Sequence, residues 1–125
     1  MEQILVIDDD AAARGMLRDL VEELGHEVSV AENGDDGLRL FEERPFTLVI
    51  CDILMPEKEG IETIREIKKK NPYTQVIAIS GGGSSGNLEF LKMAQSLGAD
   101  CAIRKPFEIE VMERTIGDLL ATRAK

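Results

Sequence analysis

Short apolar runs recur along the chain, separated by stretches whose apolar residues fall at helical spacing. The first run, Gln3-Ile4-Leu5-Val6-Ile7, ends in Asp8-Asp9-Asp10 and predicts a buried strand with acidic residues at its carboxyl end. Asp10 is placed to cap a first helix, in which Ala13, Met16, Leu17, Leu20, Val21 and Leu24 form one stripe and Gly25 takes the C′ position. Residues 26–31 alternate weakly around Val28 and Val30 and predict a second strand. Asn33-Gly34 is a turn signal, Leu38 and Phe41 mark a short second helix, and Pro45 ends it. The third strand covers residues 46–51 and runs into Asp52. After Pro56 and the polar stretch Glu57-Lys58-Glu59-Gly60 comes a third helix. It carries Ile61, Ile64 and Ile67 on one face and Glu62, Glu66, Lys68, Lys69 and Lys70 on the other. Asn71-Pro72 closes it. Val76-Ile77-Ala78-Ile79 is a fourth strand ending at Ser80. A glycine-rich loop (81–86), a fourth helix (88–97) stopped by Gly98, a fifth strand (100–103) and a fifth helix (108–121) complete the series.

Five alternations of strand and helix predict an α/β fold of (βα)5 type, a parallel sheet covered by helices on both faces, with right-handed crossovers. At 125 residues the chain is expected to be one domain, residues 1–125. In a parallel sheet the carboxyl ends of all strands lie on one edge, where open α/β folds place their chemistry. Asp8 and Asp9, Asp52, Ser80 and Lys105 each stand at such an end. Isolated aspartates after apolar runs are common turn residues. A polar group at strand end after strand end is harder to attribute to loop composition.

Composition narrows the partners. Apolar residues make up 43% of the chain, enough for a core, and aromatics only 4%, so that core is aliphatic. The net charge of −9 argues against binding nucleic acid or an anionic membrane and suits a cation or a basic protein surface. No stretch has the length of a transmembrane helix, and Met1-Glu2-Gln3-Ile4 lacks the basic start of a signal peptide. Cys51 and Cys101 read as reduced thiols of a cytoplasmic protein. His26, the single histidine, sits at a strand start away from the active edge, and Met55 reads as loop packing.

The motifs Ile4-Leu5-Val6-Ile7-Asp8-Asp9-Asp10, Val49-Ile50-Cys51-Asp52-Ile53-Leu54-Met55-Pro56, Ser80, and Gly98-Ala99-Asp100 through Lys105-Pro106-Phe107 together resemble the response regulator receiver domain of two-component signalling. The resemblance covers essentially the whole chain. It implies a flavodoxin-like doubly wound sheet of order 2-1-3-4-5. It implies that Asp52 accepts a phosphoryl group as an acyl phosphate. Asp8, Asp9, Asp52 and the backbone carbonyl of Leu54 would hold Mg2+ or Mn2+, Asp9 directly and Asp8 mainly through water. Lys105 would pair with the phosphoryl oxygens, Ser80 would hydrogen-bond the group once transferred, and Pro106 would fix the loop that aims Lys105. The implied partners are a sensor histidine kinase or histidine phosphotransfer protein and a downstream protein target. The implied role is a phosphorylation-controlled switch rather than an enzyme, catalysing only its own phosphorylation and dephosphorylation. Because nothing follows the fifth helix, the chain reads as a single-domain regulator or an excised receiver.

Two positions depart from the family pattern. Receivers commonly carry Tyr or Phe three residues before the lysine, where this chain has Ala102, so a switch that rotates that ring is not available. Twenty-five positions separate Ser80 from Lys105, a few more than usual, and the extra residues fall in the glycine-rich loop. That loop spells Gly81-x-Gly83-x-x-Gly86, but a dinucleotide fingerprint belongs after the first strand of a βαβ unit, and too little chain follows to bind one. The expectation is instead that Gly81, Gly82 and Gly83 reorder on phosphorylation with Ser80 as hinge. On the fourth helix, Leu88 and Leu91 form one apolar line and Phe90, Met93 and Leu97 another. The second line marks a candidate output or homodimer face with the fifth strand and fifth helix.

Two rival readings remain open. Asp8-x-Asp10 resembles the start of haloacid dehalogenase phosphatases, with Asp8 as nucleophile, although Ala12 stands where that family wants Thr or Val. The other rival is a degenerate receiver that binds protein without phosphorylation, against which the intact Asp9, Asp52, Ser80 and Lys105 set speaks.

Overall fold

The computed structural model describes residues 2–53, 60–80, 92, 95, 96 and 98–123, with Ser80 and Arg123 described by their backbone alone. The strands are β1 (Gln3–Ile7), β2 (Glu27–Ala31), β3 (Leu48–Asp52), β4 (Gln75–Ser80) and β5 (Cys101–Arg104). The helices are α1 (Ala11–Glu23), α2 (Gly34–Glu43), α3 (Gly60–Lys70) and α4 (Ile109–Arg123), the last being the fifth helix of the sequence reading. All strand pairs are parallel and the order is β2-β1-β3-β4-β5, as the resemblance implies.

The central strands β1, β3 and β4 are apolar at almost every position because each face of the sheet has its own core, whereas the edge strand β2 carries Glu27 and Ser29. Leu5, Ile7, Val49, Cys51, Val76 and Ala78 point to the face of α2 and α3, against Leu38, Phe41, Ile64 and Ile67. Ile4, Val6, Leu48, Ile50, Ile77, Ile79 and Ile103 point to the other, against Leu17, Leu20 and Val21 of α1 and Met112 and Ile116 of α4. Burying each of these large aliphatic side chains stabilises the fold by roughly 1.5–3 kcal/mol.

Local signals set the ends. The Asp10 side chain accepts from the Ala12 N–H at 3.1 Å and caps α1. Gly25, at φ +90°, turns the chain out of α1 into β2. Asn33 caps α2 by accepting from the Asp36 N–H at 2.8 Å.

Several expectations are corrected. Met16, placed on the inner stripe of α1, is 38% exposed, because Leu17, Leu20 and Val21 already fill the space under the helix. Lys68, placed on the solvent face of α3, is largely buried. Its ammonium donates to the Thr74 carbonyl at 2.7 Å and to Asp100 at 2.9 Å. The third strand begins at Leu48 rather than 46, since Phe46 leaves the ladder to stack on Phe41 with ring centroids 6.3 Å apart. The fifth strand begins at Cys101, because the Asp100 carboxylate is taken up by Lys68 and the Val76 N–H. The predicted fourth helix, with Phe90, Met93 and Leu97, and the loop residues Gly81, Gly82 and Gly83 lie outside the described residues.

Candidate functional site

Register brings the acidic residues together. Ile7 of β1 is paired with Cys51 of β3, so the next residues on these neighbouring strands are Asp8 and Asp52. Side-chain alternation then sends both to one face. Asp8 continues the series Ile4, Val6, and Asp52 continues Leu48, Ile50, all toward α1 and α4. Asp8 also stays in the ladder, its N–H donating to the Ala31 carbonyl at 3.1 Å. Two carboxylates thus end up almost without solvent contact, Asp8 at 0% and Asp52 at 4% exposure, while Asp9 is exposed.

Charge on this scale needs partners. Lys105, just past β5, supplies the principal one. Its ammonium donates to Asp8 Oδ2 at 2.8 Å and to Asp52 Oδ2 at 3.4 Å. Asp8 Oδ1 accepts from the Asp10 N–H at 2.9 Å, and the Arg14 guanidinium donates to the Asp8 carbonyl at 2.9 Å. Burial by itself lowers the Lys105 pKa. The hydrogen bond that Lys105 donates to Asp8 and the charges of Asp52 and Asp8 outweigh it, and the pKa lies above the ordinary 10.5. Lys105 is therefore cationic at neutral pH. Its pKa rises on folding, so the stabilisation it gives is complete below pH 10.5 and is lost only as pH climbs through the folded value.

One carboxylate oxygen from each of Asp8, Asp9 and Asp52 lies within 4.8 Å of the others. At that separation two unit charges repel by about 3 kcal/mol at an effective dielectric of ~20. The cluster contains no nitrogen or sulfur donor, which suits a hard divalent cation rather than zinc or copper. Cys51, adjacent to Asp52, is not an exception. Burial first, and then the charges of Asp52 and Asp8, push its thiol far above the usual range, so it stays protonated, and it donates to the Asp52 carbonyl at 3.5 Å.

Of the site residues expected from the sequence, Asp8, Asp9, Asp52 and Lys105 are brought together. Ser80 ends β4 opposite Arg104, at the same edge, with its hydroxyl outside the description. Leu54 lies outside the described residues. Ala102 pairs with Ala78 on the α2 and α3 face, so two small residues stand side by side there. His26 is remote from the site and accepts from the Glu2 N–H at 3.1 Å. Arg14 was not among the expected site residues. Its place four residues after the cap Asp10, in the first turn of α1, is the only signal for it.

Relatives match this arrangement end to end. The family model of the response regulator receiver domain covers residues 4–117. The transcriptional regulatory protein ZraR of Klebsiella oxytoca is 37% identical over 119 residues, which are 94% of this chain and 26% of that protein. The chemotaxis protein CheY of Halobacterium salinarum is 35% identical over 119 residues, covering 95% of this chain and 97% of that protein. The chain thus spans about a quarter of the ZraR relative and nearly all of CheY. Among solved structures, a CheY-like receiver domain protein from Methanospirillum hungatei JF-1 superposes with a TM-score of 0.90 at 29% identity, over 99% of this chain and 97% of that one. With the match running from the first strand into the last helix, and a relative of nearly equal length, the chain belongs to the response regulator receiver family, the regulatory domain of two-component signalling.

Proposed function

We propose that this receiver is switched by phosphorylation of Asp52. The observation that carries the reading is the placement of Lys105, whose ammonium reaches both Asp8 and Asp52 at the carboxyl edge of the sheet. A carboxylate approaching an anionic phosphoryl group is repelled unless positive charge is already in place, and Lys105 provides it. An Asp52 oxygen forms the new bond to phosphorus as the bond to the donor histidine nitrogen breaks, its electron pair leaving with that nitrogen. Lys105 turns to the phosphoryl oxygens, and Ser80 hydrogen-bonds one of them. The donor is a histidine kinase or a histidine phosphotransfer protein, and the output is altered binding of a downstream protein. Transfer and autodephosphorylation are catalysed by the receiver's own residues.

The all-oxygen donor set of Asp8, Asp9 and Asp52 fits Mg2+ or Mn2+, and these carboxylates, with the backbone carbonyl of Leu54, would hold it. When bound, the cation neutralises the crowded carboxylates and the incoming phosphoryl oxygens. Asp9, exposed and next to the buried pair, would be the direct ligand, whereas Asp8, with both oxygens engaged by Lys105 and the Asp10 N–H, would act mainly through water. Linkage then predicts a higher melting temperature in Mg2+ than in EDTA. At tenfold excess over Kd the gain is roughly 1.4 kcal/mol, or about 5 °C. Equal melting temperatures would remove a metal site made from Asp8, Asp9 and Asp52.

The described residues contain no helix long and apolar enough to cross a membrane, and we place the receiver in the cytoplasm, where a kinase domain and its donor histidine would meet it. Treatment with acetyl phosphate followed by peptide mass spectrometry tests the whole reading. The added phosphoryl group is expected on the peptide that carries Asp52. A group on Asp8 would instead support a dehalogenase-type phosphatase, and no label would support a receiver that works unphosphorylated.

A further inference from the structure

The first residue of α3 lies directly against the backbone of the acceptor strand. A β-carbon at Gly60 would overlap the carbonyl oxygen of Asp52 and the Cα of Ile53, and would lie 2.8 Å from the Asp52 carbonyl carbon. These are backbone atoms. The comparable crowding at Gly37 is with the Ile7 side chain, whose far end can rotate, and Gly15, Gly25 and Gly117 face open space.

Neither side of the Gly60 contact has slack. The Asp52–Ile53 peptide is held by the sheet, with Asp52 paired to Ile79 and the Ile53 N–H donating to the Ile79 carbonyl at 2.9 Å. The helix is held by Thr63, Ile64 and Ile67, all at 0% exposure. A close-packed interior transmits such a clash instead of absorbing it. The displaced segment carries the Asp52 carboxylate, which must stay near Lys105 at 3.4 Å and within 4.8 Å of the Asp8 and Asp9 oxygens.

We propose that Gly60 is a positioning residue for Asp52: the bare backbone of the first α3 turn seats the Asp52–Ile53 peptide and so aims the carboxylate at Lys105 and the cation. This rests on the assignment of Asp52 as acceptor. Such supporting contacts are worth 10–100-fold in metal affinity, and a misplacement of ~1 Å about 100-fold in rate.

The test compares Gly60→Ala with Gly25→Ala in the full chain. The second substitution strains a backbone at φ +90° in the turn after α1, on the opposite edge of the sheet, and serves as a purely structural lesion. Mg2+ affinity is read from amide shifts of the folded species, and the rate of acyl phosphate formation from acetyl phosphate is normalised to the folded fraction. Gly60→Ala is expected to lose about tenfold in affinity and about 100-fold in rate per folded molecule. Gly25→Ala is expected to lose stability while keeping both wild-type values. Wild-type affinity and rate in folded Gly60→Ala overturn the proposal. If Gly60→Ala is unfolded in buffer, the titration is repeated in trimethylamine N-oxide, which favours burial. A chain that stays unfolded there also overturns it, because the residue then serves the fold as a whole. A wild-type protein that takes no label at Asp52 removes the reading of the site and this inference with it. A labelled wild type beside an unaltered Gly60→Ala removes this inference alone.

Discussion

Lys105→Met is expected to lower stability in EDTA by about 2–3 kcal/mol, to recover most of that loss in Mg2+, and to remain about 100-fold slower in acyl phosphate formation. Methionine keeps much of the aliphatic stem but removes the ammonium that serves Asp8 at 2.8 Å and Asp52 at 3.4 Å. Breaking a fully buried ion pair costs ~3–5 kcal/mol. Here Lys105 is 18% exposed, so water screens part of the interaction and the cost falls below that range. The loss is large all the same, because the Asp8 side chain has no solvent contact with which to replace the cation. Mg2+ restores positive charge near the carboxylates but does not reproduce a donor aimed at the phosphoryl oxygens, so stability and rate part company. The stability gap should hold through neutral pH and close only above pH 10.5, as Lys105 in the wild type loses its proton. Denaturant titrations in EDTA and in Mg2+, with the phosphorylation rate measured beside them, check all three points. A variant as stable as wild type in EDTA would show that Lys105 does not neutralise the pair.

Asp52→Asn is expected to abolish phosphorylation altogether while changing stability by no more than about 1 kcal/mol. An amide is not a nucleophile toward phosphorus, so the covalent product should fall below detection by mass spectrometry. The fold should tolerate the change because two opposing effects are lost together. Repulsion between Asp52 and the other carboxylates disappears, and the longer of the two Lys105 contacts loses its ionic attraction, while the 2.8 Å contact to Asp8 remains. With one ligand fewer, the rise in melting temperature on adding Mg2+ should shrink. In pull-downs, a phosphodonor should change the set of captured proteins for wild type and leave that of Asp52→Asn unaltered. Label appearing on Asp8 in this variant would overturn the choice of acceptor.

The gap between what was legible and what was not follows from the range of the forces involved. Asp10 and Asn33 were recognisable as caps, and Gly25 as a helix stop, because each acts on atoms within a few residues of itself. The runs 3–7, 46–51 and 76–79 were recognisable as central strands because a strand buried on both faces is apolar at nearly every position. Met16 and Lys68 were misplaced for the complementary reason. Periodicity gives the direction in which a side chain points, but not whether neighbours arrive to cover it. Leu17, Leu20 and Val21 leave Met16 uncovered, while Asp100, 32 residues away along the chain, draws Lys68 in.

By itself the sequence determined that this chain makes an α/β sheet, that Asp8, Asp9, Asp52, Ser80 and Lys105 gather at one edge of it, and that the edge is acidic. These follow from local periodicity and from the rule that parallel strands end together. The tertiary structure alone decided how the charges pair. Lys105 bonds more closely to Asp8, 97 residues distant, than to the proposed acceptor Asp52, because the Ile7 to Cys51 register sets the two carboxylates side by side beneath it. It alone decided that Gly60 lies against the Asp52 carbonyl. Both are distances between segments remote in the chain, and such distances are set by strand register and close packing, which no window of sequence contains.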